Sequence, residues 1–171
     1  MKKKFFLCIL AVALFFTLFL YCNHDIGIPA AAIQADIRSA QKITDTWATE
    51  GMASDTMAAY ISYPEDRSDH TFSVYVNRPG LSFGYFFRGG GDISEVDRSI
   101  AEFTVAGYPE RAFISMNHQK VNKLQIDDGN TLQVLDIDQS KPFAIVLPVN
   151  AGILTFFDGS GNVVNYLNRP L

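Results

Sequence analysis

Residues 72–87 read FSVYVNRPGLSFGYFF, and this stretch decides the fold class. Its first part alternates apolar with polar or aromatic residues, which is typical of a β-strand whose successive side chains lie on opposite faces. Residues 77–80 then form a turn, because proline fixes φ and glycine accepts positive φ. The alternation resumes beyond the turn, with one face formed by Leu81, Phe83, Tyr85 and Phe87 and the other by Ser82, Gly84 and Phe86. The stretch therefore predicts an antiparallel hairpin with an aromatic face.

Further short apolar runs follow, separated by turn-forming residues: 57–63, 112–116, 121–126, 132–137, 143–147, 153–157 and 163–167. The polar segments 127–130 and 158–162 are typical hairpin turns. The run 143–147 lies between two prolines, and its continuous apolar character indicates a strand buried on both faces. We expect a mainly β fold, or an α+β fold, built as a single antiparallel β-sandwich or partly open barrel of about eight or nine short strands.

One or two helices accompany these strands. Ile33, Ile37, Ala40, Ile43 and Trp47 recur at helical spacing and predict an amphipathic helix that stops near residues 50–51. Residues 94–105 fit either a helix or a strand, because a helix N-cap signal at Ser94 is followed by a β-like run. Residues 89–91, three glycines, predict a loop that breaks the preceding strand.

The first 22 residues form a separate segment. Lys2, Lys3 and Lys4 precede an apolar run, residues 5–21, which as a helix is about 26 Å long. The hydrocarbon core of a bilayer is about 30 Å thick, so we expect a retained signal anchor with its N-terminus cytoplasmic and the rest of the chain outside. Two alternatives are a signal peptide cleaved near Ala32, which would release the domain, and lipid attachment at Cys22, which the preceding Tyr21 disfavours.

The charge and the cysteine content of the chain exclude some kinds of partner and site. Beyond residue 22 the chain holds 11 basic and 18 acidic residues, a net charge of about −7, so we expect no nucleic-acid partner. Its cysteines, Cys8 and Cys22, both belong to the first segment, so the domain has no disulfide and no thiolate site. We expect three parts: residues 1–22 as anchor or signal peptide, 23–51 as tether and membrane-proximal helix, and 52–171 as the extracytoplasmic β-rich domain.

No catalytic, cofactor or metal site is expected from the motifs. Residues 158–162 resemble the start of a calcium loop, but Val163 stands where that loop needs glycine, so a hairpin turn is the better interpretation. Ser115 and His118 lack the glycine-flanked turn that exposes a nucleophilic serine. His24, His70 and His118 do not have metal-ligand spacing. The glycines 89–91 lack the lysine and hydroxyl residue of a phosphate loop.

The aromatic residues offer the remaining candidate site. Most of those in the predicted hairpin share one face and are expected to form core, whereas Phe86 points to the opposite face. We therefore expect a partner-binding surface formed by Phe86, Arg88 and Trp47. The leading hypothesis is a non-enzymatic cell-envelope domain that binds a protein or a cell-wall component. Alternatives are a small extracytoplasmic hydrolase, using Ser115 or the pairs Asp127/Asp128 and Asp136/Asp138, and a structural subunit of a membrane complex.

Overall fold

A computed structural model describes residues 2–22, 26–77 and 84–171 of the chain. Helix α1 spans Lys2–Cys22. A 3-10 turn, Ala30–Ala32, leads into helix α2, Ile33–Ala40, and a third short helix, α3, spans Ser94–Arg98. Within these described ranges, no helix meets the combined length and apolarity needed to cross a membrane. The fold is mainly β, with 45% of residues in strands and 22% in helices.

Twelve strands form three four-stranded sheets among the described residues. Sheet I has the order β1-β2-β3-β4, built from Ala48–Ala53, Met57–Tyr63, Thr71–Asn77 and Tyr85–Gly91. Sheet II has the order β11-β10-β7-β8, built from Val163–Val164, Ile153–Asp158, Val121–Asp127 and Leu132–Asp136. Sheet III has the order β12-β5-β6-β9, built from Tyr166–Pro170, Ile100–Thr104, Glu110–Ser115 and Phe143–Pro148. All pairs are antiparallel except β12 with β5, which is parallel.

Sheet III is the middle layer of a stack. One of its faces contributes Phe103 and Ile114 to a core shared with Ile61 and Val74 of sheet I. Its other face contributes Phe113 to a second core, in which Phe156 of sheet II lies with a ring-centroid distance of 5.4 Å. Because successive side chains of a strand point to opposite faces, a sheet buried on both sides requires apolar residues at consecutive positions. Strand β9, the apolar run between two prolines, confirms that prediction.

Helix α2 covers the outer face of sheet I. Ile33 and Ile37 are fully buried and pack with Tyr75 and Tyr85 of that face. The Tyr75 hydroxyl donates a hydrogen bond to Asp36 Oδ2 at 2.7 Å. Burial and then this bond raise the pKa of Tyr75. The layer order is therefore α2, sheet I, sheet III, sheet II, and the outer face of sheet II is the end of the stack opposite α2.

The predicted strand positions are largely confirmed, but their number and arrangement differ. The described residues form twelve strands rather than eight or nine, and these strands make three open sheets rather than a single sandwich or barrel. Residues 163–167, expected as one strand, divide between β11 in sheet II and β12 in sheet III, so the chain changes sheets at Asn165. Residues 94–105 contain both α3 and β5, which resolves the ambiguity of that segment.

The expected helix over Ile33–Trp47 is shorter than its apolar spacing suggests. Helix α2 ends at Ala40, and Lys42 adopts φ +54, which is incompatible with helix continuation. Residues 50–51, expected to stop the helix, lie inside strand β1. Gly51 is required there because a Cβ would lie 2.2 Å from the Ala59 carbonyl oxygen.

The glycines 89–91 were expected to break the strand, and that expectation is wrong. Strand β4 continues through them, with a register shift beside Arg88. A Cβ on Gly90 would lie 2.6 Å from the Phe72 carbonyl oxygen and 2.7 Å from Gln41 Nε2. The glycines therefore allow close packing within the sheet and under the end of α2. The hairpin of β3 and β4 is confirmed as antiparallel, whereas its predicted turn, 77–80, and Leu81–Phe83 fall mostly outside the described residues, as does His24.

Candidate partner-binding surfaces

The outer face of sheet II carries a group of apolar side chains that no other layer of the described residues covers. The register aligns Ile153, Asp127 and Leu132 in one row across three strands, and Thr155, Gln125 and Val134 in the next. Alternation directs these residues away from the core side, which holds Leu124, Ile126, Leu154 and Phe156. We call the apolar members of this outer face the sheet II patch: Leu132, Val134, Ile153, Phe157 and Val163.

The sheet II patch is exposed to an extent that is unusual for large apolar side chains on neighbouring strands. Ile153 is 71% exposed, Leu132 60%, Val163 59% and Val134 50%. Isolated exposed apolar residues are common on proteins, whereas several on one face of a sheet are characteristic of an interaction surface. The set lies on three strands of one sheet, β8, β10 and β11.

A polar strand divides the sheet II patch. Strand β7 places Lys123, Gln125 and Asp127 between the apolar residues of β10 and those of β8. The Lys123 ammonium lies 4.5 Å from the centre of the Phe157 ring, which is a cation–π arrangement. Apolar area mixed with a few charges is typical of interfaces between proteins that also exist apart.

A groove lies on another side of the molecule, between β1 of sheet I and β9 of sheet III. It has a volume of about 340 Å³ and is lined by residues 50–52 and 143–145, together with Asp136, Ile137, Asp138, Lys141 and Pro142. Lys141 Nζ lies 3.4 Å from Glu50 Oε1, and both side chains are about half exposed. At the rim, hydrogen bonds from the side chain and backbone of Ser140 lower the pKa of Asp138.

The three predicted surface residues do not form one site. Phe86 is half-buried and Arg88 is exposed, both on β4, whereas Trp47 is half-buried and precedes β1. Strands β1 and β4 are the two opposite edges of sheet I. At about 4.8 Å per strand, these edges are about 14 Å apart, so a surface that includes both Trp47 and Phe86 would have to extend across the sheet.

Ser115 and His118, the candidates for hydrolysis, have different partners. The Ser115 hydroxyl is buried, donates to the Ser99 carbonyl oxygen at 2.6 Å and accepts from the Asn117 backbone N–H at 3.0 Å. His118 Nε2 lies 3.2 Å from Asp97 Oδ1 at the surface. These contacts join the β6–β7 connection to α3 and the start of β5, and they leave the serine without an adjacent base.

The acidic pairs considered for hydrolysis belong largely to turns. Asp128 accepts hydrogen bonds from the backbone N–H groups of Asn130 and Thr131, and Asp127 accepts from the N–H of Gly129. Asp138 accepts from the backbone and side chain of Ser140, whereas Asp136 lies at the end of β8, on the groove wall. The hydrogen bonds at Asp128 and Asp138 shape the turns and lower the pKa of both carboxyls.

The calcium-like segment is a hairpin turn, as its composition predicted. Asp158 Oδ1 accepts hydrogen bonds from the backbone N–H groups of Ser160 and Asn162, both at 2.8 Å. Gly161 adopts φ +83, the conformation that this turn needs. In the described part of the chain, no three His, Cys, Asp or Glu side chains are placed to hold a metal ion.

Sequence reasoning missed both the sheet II patch and the groove. A signal for the patch was present, since β10 reads ILTFFD and is apolar on both faces although it lies in a terminal layer. Two-faced apolar strands also occur in buried sheets, and only the layer order distinguishes the two cases.

Comparisons with protein-family models, curated proteins and solved structures gave no match for this chain.

Proposed function

We propose that this chain is an exported, non-enzymatic domain, held at the outer face of a membrane by its first 22 residues, that binds a partner protein through the sheet II patch. The uncovered apolar face at the end of the stack carries this proposal. Every other large sheet face among the described residues packs against another layer, whether a sheet or α2. Burying such a face contributes roughly 25 cal/mol per Å², which favours a bound partner.

Strand β8 adds a second element to the same surface. All five of its residues, Leu132–Asp136, are exposed, and it is the edge strand of sheet II. Edge strands without protection are sites where another chain can pair. The only charge within β8 is Asp136 at its end, so the strand has little to prevent pairing with a partner.

The membrane attachment is supported by the sequence of the first segment. Three lysines precede the apolar run, and within α1 the Phe5 and Phe15 side chains are each 72% exposed. An apolar helix of this kind is stabilised by transfer from water to lipid. The lysines favour the cytoplasmic side, which directs the domain outward.

Retention of this segment is favoured over cleavage near Ala32. The backbones of Ile28 and Tyr85 exchange hydrogen bonds at 3.0 and 2.8 Å, and Ala30–Ala32 leads directly into α2, where Ile33 is fully buried. Cleavage after Ala32 would remove a paired segment and expose the start of a core helix. We therefore propose an anchor that remains part of the mature protein.

Site-specific photo-crosslinking in intact cells tests the partner-binding proposal. A photoreactive amino acid at Val134 or Ile153 should give one and the same discrete crosslinked product, and Leu132→Lys should abolish it. The same amino acid at Glu65, an exposed position on another part of the molecule, serves as the matched control. Absence of a product at both patch positions, or an equal product at Glu65, would contradict the proposal.

A cysteine-labelling experiment tests the location. Because the domain beyond residue 22 has no cysteine, Ser160→Cys introduces a single reactive thiol in an exposed turn. A maleimide that does not cross membranes should label this variant in intact spheroplasts, and the parent chain controls for Cys8 and Cys22. Labelling that appears only after lysis would place the domain inside and overturn the export proposal.

Mass spectrometry of the mature chain tests retention of the first segment.

A further inference from the structure

The edge of sheet I at β1 is open to a further strand. The Ser54 backbone N–H donates to the Met57 carbonyl oxygen at 2.8 Å, and the Asn77 N–H donates to the Thr56 carbonyl oxygen at 2.9 Å. Hydrogen-bonded pairs alternate along an antiparallel ladder, so these two bonds fix which groups of β1 face β2. The N–H and C=O groups of Thr49, Gly51 and Ala53 therefore point away from β2, along the free edge.

Gly51 leaves the centre of this edge uncovered. It is exposed, and it carries no side chain to shield its outward N–H and C=O groups. A larger residue cannot replace it without strain, because a Cβ would collide with the Ala59 carbonyl oxygen and the Tyr60 backbone. The backbone that requires this glycine is that of β2, and the consequence for the free edge is that no side chain covers its centre.

The groove described above runs along this open edge. Residues 50–52 of β1 form one wall, and Phe143, Ala144 and Ile145 of β9 form the opposite side. An extended peptide pairing with β1 would thus place every second side chain in the groove, where Glu50 and the apolar wall both lie, and the other side chains on the opposite face of sheet I. This arrangement is the one that proteins use to bind peptides by strand addition.

The charges of the groove select a basic occupant. Its lining holds three carboxylates, Glu50, Asp136 and Asp138, against one ammonium, that of Lys141. Lys141 reaches Glu50 from across the groove at 3.4 Å, in an ion pair exposed enough to contribute little to stability. An incoming lysine or arginine can replace Lys141 on Glu50 at small cost. Two nearby cations do not line the groove: Arg67 donates to the Ser140 carbonyl, and Lys123, which pairs opposite Asp136, lies over the Phe157 ring.

We propose that this groove binds an extended segment of a partner protein that alternates apolar residues with lysine or arginine, and that the segment pairs with β1 as a fifth strand of sheet I. The site meets the sheet II surface at Asp136 of β8, but it contains none of the apolar residues of the sheet II patch. Either site can therefore be lost without the other, and the two proposals can fail independently.

Peptide titration of the full chain in neutral detergent micelles tests the charge requirement. The probe is a fluorescent, end-blocked hexapeptide of alternating lysine and valine, followed by anisotropy. Its glutamate analogue should bind at least tenfold more weakly. The Glu50→Lys variant should weaken the lysine peptide about tenfold, whereas Asp45→Lys, with the same charge change on a fully exposed side chain outside the groove, should leave affinity unchanged. Equal binding of both peptides, or equal effects of both variants, would overturn the proposal.

Backbone pairing is tested by N-methylation and amide exchange. A lysine–valine peptide with alternate amides methylated keeps its charge but cannot pair, so it should bind at least tenfold more weakly. The unmodified peptide should slow hydrogen exchange at Thr49, Gly51 and Ala53. Slowing at Leu132–Asp136 instead, or unchanged affinity of the methylated peptide, would contradict strand addition at β1. Leu132→Lys should not alter the peptide affinity, which separates this result from that for the sheet II patch.

Discussion

Ile28 and Tyr85 exchange both of their backbone hydrogen bonds, so the segment just after the first helix forms a bridge to the edge of β4. Two glycines permit this approach. A Cβ on Gly27 would lie 2.6 Å from the Tyr85 carbonyl oxygen, and a Cβ on Gly84 would lie 2.5 Å from that of Ile28. The bridge therefore connects residues 26–28 to sheet I and restricts the distance between the domain and the end of α1.

Gly84→Ala should open this bridge. Gly84 has φ +92, and the added methyl would also collide with the Ile28 carbonyl, so we expect a loss of about 2–4 kcal/mol in the free energy of unfolding. Gly107→Ala is the matched control, because Gly107 has φ +82 but nothing within 4 Å, and it should cost only about 1–2 kcal/mol. Urea unfolding of both variants measures the difference, and equal losses would show that the bridge adds nothing.

Tyr75→Phe should loosen α2 from sheet I. The Tyr75 hydroxyl is buried and donates to the carboxylate of Asp36, so removing it should cost about 1.5–3 kcal/mol. Asp36→Ala provides the second arm of a double-mutant cycle. The two changes together should cost less than the sum of the single changes, because both remove the same hydrogen bond. Additive losses would indicate that the bond contributes no stability.

Glu102 and Arg111 form a nearly buried ion pair on the side of sheet III that faces sheet II. Arg111 Nη1 lies 2.6 Å from Glu102 Oε1, and Asn168 Nδ2 donates to the other carboxylate oxygen at 3.0 Å. Glu102→Leu should cost about 3–5 kcal/mol, because Arg111 would keep its charge without a partner. Glu102→Leu combined with Arg111→Leu should recover much of that loss in urea unfolding. A double variant as unstable as the sum of both single variants would contradict this account.

Acid should destabilise the turns. Hydrogen bonds lower the pKa of Asp66, Asp128, Asp138 and Asp158 below the ordinary value of 3.8. The unfolded chain then binds protons more readily than the folded chain, so this stabilisation is complete above that value and is lost as pH falls through the lowered pKa values. In Asp158→Asn, the stability difference from the parent chain should narrow between about pH 5 and pH 3. A difference that stays constant over this range would contradict the assignment for Asp158.

The sequence predicted the strands better than it predicted their partners. Met57–Tyr63 was placed correctly because alternation and turn residues are local signals. Strand β1 was missed, since ATEGMA has little β-branched character and its glycine is required by contact with Ala59, which lies in the neighbouring strand. The parallel pairing of β12 with β5 was also missed, because it joins residues about 66 positions apart and no turn signals it.

The candidate surfaces were also harder to predict than the strands, because they depend on contacts between distant parts of the chain. Exposure of Val134 and Ile153 depends on sheet II being the last layer, and the groove depends on two strands, β1 and β9, that belong to different sheets. Phe86 was selected because alternation directs it opposite to Tyr85 and Phe87. That direction is consistent with its pairing opposite Val76, which faces the core between sheets I and III.

The parallel strand β12 limits when the chain can fold. The middle layer takes its strands from residues 100–104, 110–115, 143–148 and 166–170, so it is complete only when Tyr166–Pro170 are free to pair with β5. A chain that emerges N-terminus first, from a ribosome or through a translocation pore, can therefore pair β5, β6 and β9 first, and it adds β12 to the free edge of β5 last. The middle layer is thus expected to be completed late, and truncation before Tyr166 should leave the β5 edge unpaired and destabilise the domain.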